Sequence, residues 1–229
     1  QKAGGFRREF DGAQDYDFIL KCIEKTQPSK IAHVHEILYH WRIHAGSTSG
    51  NPESKLYAYE AGKRVLEAYL ERNELSGHVS DTPHRGFYRI DYDNPCDAGE
   101  YLIMTDGTLK APEGYERKLA SYFARNDIGA VGGRITDSRG RIICNGYHRC
   151  SDGSIRSYYE GMDTHFTGHM HRASLQQDVP AVSDRACMIR KELIGCMDPD
   201  PYTMFKNIRR RGYAVVLDPT VVFRENRNE

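Results

Sequence analysis

Ile128-Gly-Ala-Val-Gly-Gly-Arg-Ile135, Asp137-Ser-Arg-Gly140 and Arg141-Ile-Ile-Cys144 together decide the fold class of this chain. The first run reads as a strand, the Asp-Ser-Arg-Gly stretch as a turn, and the third run as a strand folding back. Before them, Tyr101-Leu-Ile-Met104 is a short apolar strand stopped by Asp106-Gly107. A helix follows Pro112, with Tyr115, Leu119, Tyr122 and Phe123 expected inward. After them come a strand at Ala186-Cys-Met-Ile189, a helix around Met204 to Arg211, and a strand at Ala214-Val-Val-Leu217 that should end before Pro219. Elements alternating in this way predict an α/β layer structure. Residues 151 to 180 lack periodicity and read as a long loop.

The chain upstream has a different character. A helix is expected from about Asp15 to Lys25, with Ile19, Cys22 and Ile23 at helical spacing and therefore inward. Asp15 falls on the same face, whereas Asp17 and Lys21 form an i,i+4 pair on a face that reads as solvated. Glu36 to His44 alternates like a strand, with Ile37, Tyr39, Trp41 and Ile43 on a core face and Leu38, His40, Arg42 and His44 opposite. Asn51 and Pro52 open a second helix, with Ala58, Ala61, Gly62, Val65, Leu66 and Tyr69 as its inward stripe and an end near Asn73. Thr82 to Ala98 separates the two segments, which gives domains at 1–91 and 92–229.

Composition removes several functional classes. Lys+Arg and Asp+Glu each number 32, so the formal net charge is zero, without the basic excess of a dedicated nucleic-acid binder. The run Arg209-Arg210-Arg211 reads as a solvated helix end. The longest apolar stretch, Tyr213 to Leu217, is far short of a membrane span, so no transmembrane segment is expected. Six cysteines without a C-x-x-C pair form neither a disulfide framework nor a zinc site, and reduced thiols fit the cytoplasm. His165, His169 and His171 have metal-like density, but Gly168 and the unpatterned surroundings favour a loop.

The first segment resembles the C-terminal half of a family 2 glycosyltransferase of the GT-A type, in the subgroup that builds bacterial cell-surface polysaccharide. Three stretches carry the resemblance: Gly5-Phe-Arg-Arg-Glu-Phe-Asp-Gly-Ala-Gln-Asp-Tyr-Asp17, then Leu38-Tyr-His-Trp-Arg-Ile-His44 with Ser47, then Tyr57-Ala-Tyr-Glu-Ala-Gly-Lys63. Residues 97 to 223 resemble a second, shortened copy, through Gly99-Glu-Tyr-Leu-Ile-Met104, the 128–133 strand, Ala186 to Leu193, and Arg211 to Pro219. The implied fold is a GT-A-like mixed sheet with flanking helices, lacking the N-terminal nucleotide-binding half. The implied chemistry is transfer of a sugar from a nucleotide diphosphate to a glycan acceptor, with a carboxylate base and a divalent metal, Mn or Mg.

On the matching positions, Asp15 is the implied catalytic base. Trp41, Arg42 and Ser47 are implied to bind acceptor or diphosphate, and His44 and Asp106 to approach the metal. The bland reading of Asp15 is an acid that complements a helix N-terminus. The second copy departs from the pattern: Asp106-Gly-Thr108 replaces the metal-binding D-x-D, and Asp200-Pro-Tyr-Thr203 stands where the base motif should fall. The resemblance thus implies a transferase that is incomplete or inactive as this chain, in the cytoplasm or at the inner face of the membrane. The alternative is a non-catalytic glycan- or partner-binding domain derived from a decayed transferase. A sheet edge left bare by a missing half predicts that the two pieces cover one another or that the chain forms a homodimer.

Overall fold

A computed structural model describes residues 3–27, 30–40, 56–93 and 99–226, and divides the chain into two compact units, Gln1–Asp91 and Tyr92–Glu229. It is a mixed α/β protein. Among the described residues no helix is long and apolar enough to cross a membrane.

The first unit is built on two helices, α1 (Gln14–Glu24) and α2 (Leu56–Arg72), and a two-stranded sheet of β1 (Gly77–Asp81) and β2 (Tyr88–Tyr92). The core side of α2 is the expected stripe: Ala61, Gly62, Val65 and Leu66 are buried, joined by Leu70. Ala61 and Val65 pack with Phe10 and Ala13 from the loop before α1. Strand β2 and its connection from β1 lie in the stretch read as a separator. Only Val79 of β1 is buried, which leaves little hydrophobic pattern to read. Their connection is closed by Thr82, whose hydroxyl donates to the Phe87 carbonyl and accepts from the His84 amide.

Helix α1 reverses its expected orientation. Ile19 and Ile23 are 54% and 49% exposed, and Asp15 is exposed with them. The residue turned inward is Asp17, with no exposed surface. Arg7 grips it bidentately, Nε to Oδ2 at 3.1 Å and Nη2 to Oδ1 at 2.6 Å, while Lys21 Nζ approaches Oδ2 at 3.2 Å. Arg72 reaches in from α2 at 3.7 Å and itself pairs with Glu24 at 2.7 Å. The expected solvated pair is therefore the hub that ties the N-terminal segment and both helices together. A buried carboxylate is tolerable only with such partners. The Arg7 hydrogen bonds hold its pKa below the usual carboxylate value, against the opposing effect of burial.

The expected strand at Glu36 to His44 also differs. Residues 36 to 40 form no strand, and Ile37, Leu38 and Tyr39 are all exposed. Alternation creates two faces, but a strand also needs a ladder partner, and among the described residues this unit's sheet is only β1 with β2. Trp41, Arg42, His44 and Ser47 lie outside the described residues.

The second unit holds a seven-stranded mixed sheet. Its central path is β3 (Tyr101–Thr105), β10 (Ala186–Arg190), β5 (Ile128–Thr136), β11 (Ala214–Glu225) and β4 (Leu109–Lys110). Strand β6 (Ile142–Cys144) pairs with β5, and β9 (Gln177–Asp178) with β11. A small hairpin of β7 (Tyr147–Arg149) and β8 (Ile155–Ser157) lies apart from it. Strands β5 and β11 run parallel, Val131 opposite Val216, and the other pairings are antiparallel.

All nine residues of β5 are buried, the signature of a strand covered on both faces. Helices α3 (Tyr115–Ala120) and α4 (Pro201–Arg210) flank the sheet. Met204, Phe205 and Ile208 of α4 join Ala130, Cys187, Ile189, Val215 and Leu217 in one core. The turn at 137–140 forms as read, with the Asp137 carboxylate accepting from the Arg139 and Arg141 amides.

Strand β11 does not stop before Pro219 but continues to Glu225. Proline is accepted because the register shifts between Asp218 and Val222, so no ladder donor is needed there. Buried Asp218 anchors the irregularity, accepting from Tyr122 Oη at 2.8 Å and from Thr220. The long segment after Cys150 is held by buried Arg134 of β5, which donates to Asn145 Oδ1 and to the carbonyls of Thr164 and Ala173.

Candidate functional site

Asp15 opens onto a pocket of about 520 Å³ within the first unit. The floor comes from α2 at Ala58, Tyr59, Gly62 and Leu66; one wall comes from Gly12, Ala13 and Tyr16 at the start of α1; the other is Gly86, Phe87 and Tyr88 entering β2. Two glycines make this geometry. At Gly62 a Cβ would stand 2.7 Å from Tyr88 Oη, so the absent side chain lets that ring lie close against α2. Gly12 has φ +95° and would bring a Cβ within 2.9 Å of Ala58, which fixes the close approach of the loop.

The polar groups of the pocket have distinct roles. Tyr88 Oη donates to the Tyr59 carbonyl at 2.6 Å, and burial pushes its pKa up to about 12. It is therefore a fixed donor at neutral pH and not a base. Arg85 lies 5.8 Å over the Tyr59 ring. Asp15 accepts from the Tyr16 amide at 2.9 Å through Oδ1. Its exposed carboxylate can accept a hydrogen bond or a proton from a hydroxyl placed in the pocket. The outward turn of α1 that exposes Ile19 and Ile23 also brings Asp15 to the surface, contrary to the inward position expected for it.

Asp106 is arranged differently. Its Oδ1 accepts from the Thr108 amide and hydroxyl, and its Oδ2 from Arg185 Nε at 2.5 Å. Arg185 also donates to Thr108 Oγ1 at 2.8 Å and approaches Glu225 at 3.4 Å. These contacts, the Thr108 hydrogen bond first, lower the Asp106 pKa. The Arg185 guanidinium thus already neutralises Asp106, and the Thr108 hydroxyl completes the same cluster. The residues here do not fit a divalent metal as they stand. Among the described residues no group of three His, Cys, Asp or Glu side chains is placed to hold one.

Two further motifs have structural explanations. Asp200 caps α4, its Oδ2 accepting from the Thr203 amide at 3.0 Å and the Thr203 hydroxyl at 2.6 Å, with Pro201 in the first turn. His165 lies in a turn and His169 in a separate short 3₁₀ turn broken by Met170 at φ 50°, so the two do not share a helical face.

The pocket residues contributed by residues 86–88 have no counterpart in the sequence expectations. Gly86-Phe-Tyr88 falls in the stretch read as a separator, and the turn glycine was its one signal. Arg185 was likewise missed, because its partner is 79 residues away in sequence.

No family model matches the chain. Two proteins share part of it. A protein of Sinorhizobium fredii, the uncharacterized protein y4gI, is 47% identical over 72 residues, 31% of this chain and 8% of that protein. The O-antigen biosynthesis protein RfbC of Myxococcus xanthus is 36% identical over 91 residues, 40% of this chain and 7% of that protein. The match therefore spans less than a tenth of either relative.

Proposed function

We propose that this chain is a glycosyltransferase-like protein of polysaccharide synthesis whose first unit supplies an acceptor-binding pocket, with Asp15 in the position of the general base. The observation that carries this reading is the Asp15 carboxylate at the mouth of a pocket walled by Tyr16, Tyr59, Phe87 and Tyr88. Aromatic faces cover the apolar side of a sugar ring, and a few directed polar groups orient it. In a complete transferase the carboxylate would take the acceptor hydroxyl's proton as that oxygen attacks the anomeric carbon and the nucleoside diphosphate leaves. The partial similarity to an O-antigen biosynthesis protein supports the same class of pathway.

The nucleotide-binding half of a GT-A transferase is, in this proposal, not part of the chain. The outer side of α1 supports that: Phe6, Ile19 and Ile23 present apolar surface of the kind a neighbouring layer covers. The second unit is non-catalytic, a reading favoured by the Arg185–Asp106–Thr108 cluster and by the capping role of Asp200. Thermal-shift measurements on the whole chain test this. Neutral oligosaccharides should stabilise it, and Asp15→Asn should retain the effect while Tyr16→Ala loses it. Stabilisation by UDP- or dTDP-sugars with Mn²⁺, and none by oligosaccharides, would contradict the acceptor-side assignment.

A further inference from the structure

One side of α4 carries Tyr202, Lys206, Arg209 and Arg210 at spacings of three and four residues, opposite the buried Met204, Phe205 and Ile208. With Arg149 from the end of β7 and Pro180 beyond β9, they line a concave groove of about 320 Å³. Four of the six lining residues are cations and none is an acid. In a chain of zero net charge this is a local concentration and not a general basicity.

Helix-end electrostatics explain only part of it. Cations in the last turn complement the helix carbonyls, which accounts for Arg209 and Arg210. Lys206 lies further from the end and has like charges at i+3 and i+4, each unfavourable by a few tenths of a kcal/mol. Arg149 comes from a different element and is held over the Tyr202 ring at 5.4 Å while donating to the Gly153 carbonyl. Arg209 is similarly positioned by a 2.9 Å bond to the Val179 carbonyl. The acids within electrostatic reach, Asp200 and Asp178, lie outside the lining, and Asp200 is committed to the α4 cap. Three guanidinium groups and an ammonium thus converge on one concavity with donors to spare, a geometry that matches phosphate oxygens.

We propose that this groove binds a small phosphate-bearing anion, with a diphosphate group as the best match to its size and charge. A compact hollow bounded by Tyr202 and Pro180 suits a discrete group better than the extended track a nucleic acid needs. The proposal concerns the second unit alone, so its failure would leave the Asp15 reading untouched.

The experiment is titration of the full chain with pyrophosphate, followed by calorimetry and backbone amide shifts. Saturable binding is expected, with shifts at Arg149, Pro180's neighbours and residues 202–210, weakening as salt rises from about 50 mM to about 500 mM. The double variant Lys206→Gln/Arg210→Gln should lose affinity by about tenfold or more with an unchanged melting profile. No saturable binding, or binding unaffected by the double variant, would overturn the proposal. So would binding to phosphatidylglycerol vesicles without any response to pyrophosphate, since that would identify a membrane surface instead.

Discussion

Helices α1 and α4 are both amphipathic, yet they present opposite sides to their units. Helix α4 buries Met204, Phe205 and Ile208 against a sheet and leaves Lys206, Arg209 and Arg210 outside. Helix α1 turns Asp17 into the contact with α2 and leaves Ile19 and Ile23 outside. A periodic stripe shows that a helix has two sides, but the partner decides which is inner. The sheet beside α4 offers an apolar surface. Beside α1, Arg7 and Arg72 offer cations, and an ionised carboxylate is the complement they need. The same rotation brings Asp15 to the mouth of its pocket.

Stability measurements can break this contrast. The largest effect is expected at the α4 core, where Phe205→Ala should cost about 3–5 kcal/mol in denaturant unfolding. Asp17→Ala should follow at about 3 kcal/mol, near the low end for a broken buried pair because Arg7 and Arg72 keep some access to water. A neutral result at Asp17 would remove the hub.

Acid titration sharpens the same point. The folded-state pKa of Asp17 lies below its unfolded value, so the unfolded chain binds more protons in the interval between them. Its stabilisation is complete above the unfolded carboxylate value, about 4, and is lost as pH falls through the folded one. Asp17→Asn should therefore flatten the acid limb of the stability profile. The smallest effect is expected outside α1: Ile19→Lys should change stability by no more than about 0.5 kcal/mol. A loss comparable to that of Phe205→Ala would show that the outer side is packed after all.

Much of the second unit was legible because a strand covered on both faces needs an apolar run, and residues 128–133 of β5 and 214–217 of β11 supply it. The stripe of α2 was legible for the same reason, since its inner side is apolar throughout. Illegible features depend on partners remote in sequence. Nothing near Asp106 announces Arg185, and nothing in Asp17-x-x-x-Lys21 announces Arg7 and Arg72. Pro219 looked like a terminus because a register shift is a property of the pairing and not of the strand. At the candidate site Asp15 could be singled out by resemblance, whereas the pocket around it draws on three stretches between Gly12 and Tyr88.

Amide-shift mapping with neutral oligosaccharides will show whether Asp15 serves a glycan pocket. Saturable shifts are expected, confined to residues 12–16, 58–66 and 86–88, abolished by Tyr16→Ala and preserved in Ile19→Lys. Absence of shifts in that set, or shifts unchanged by Tyr16→Ala, would contradict that role.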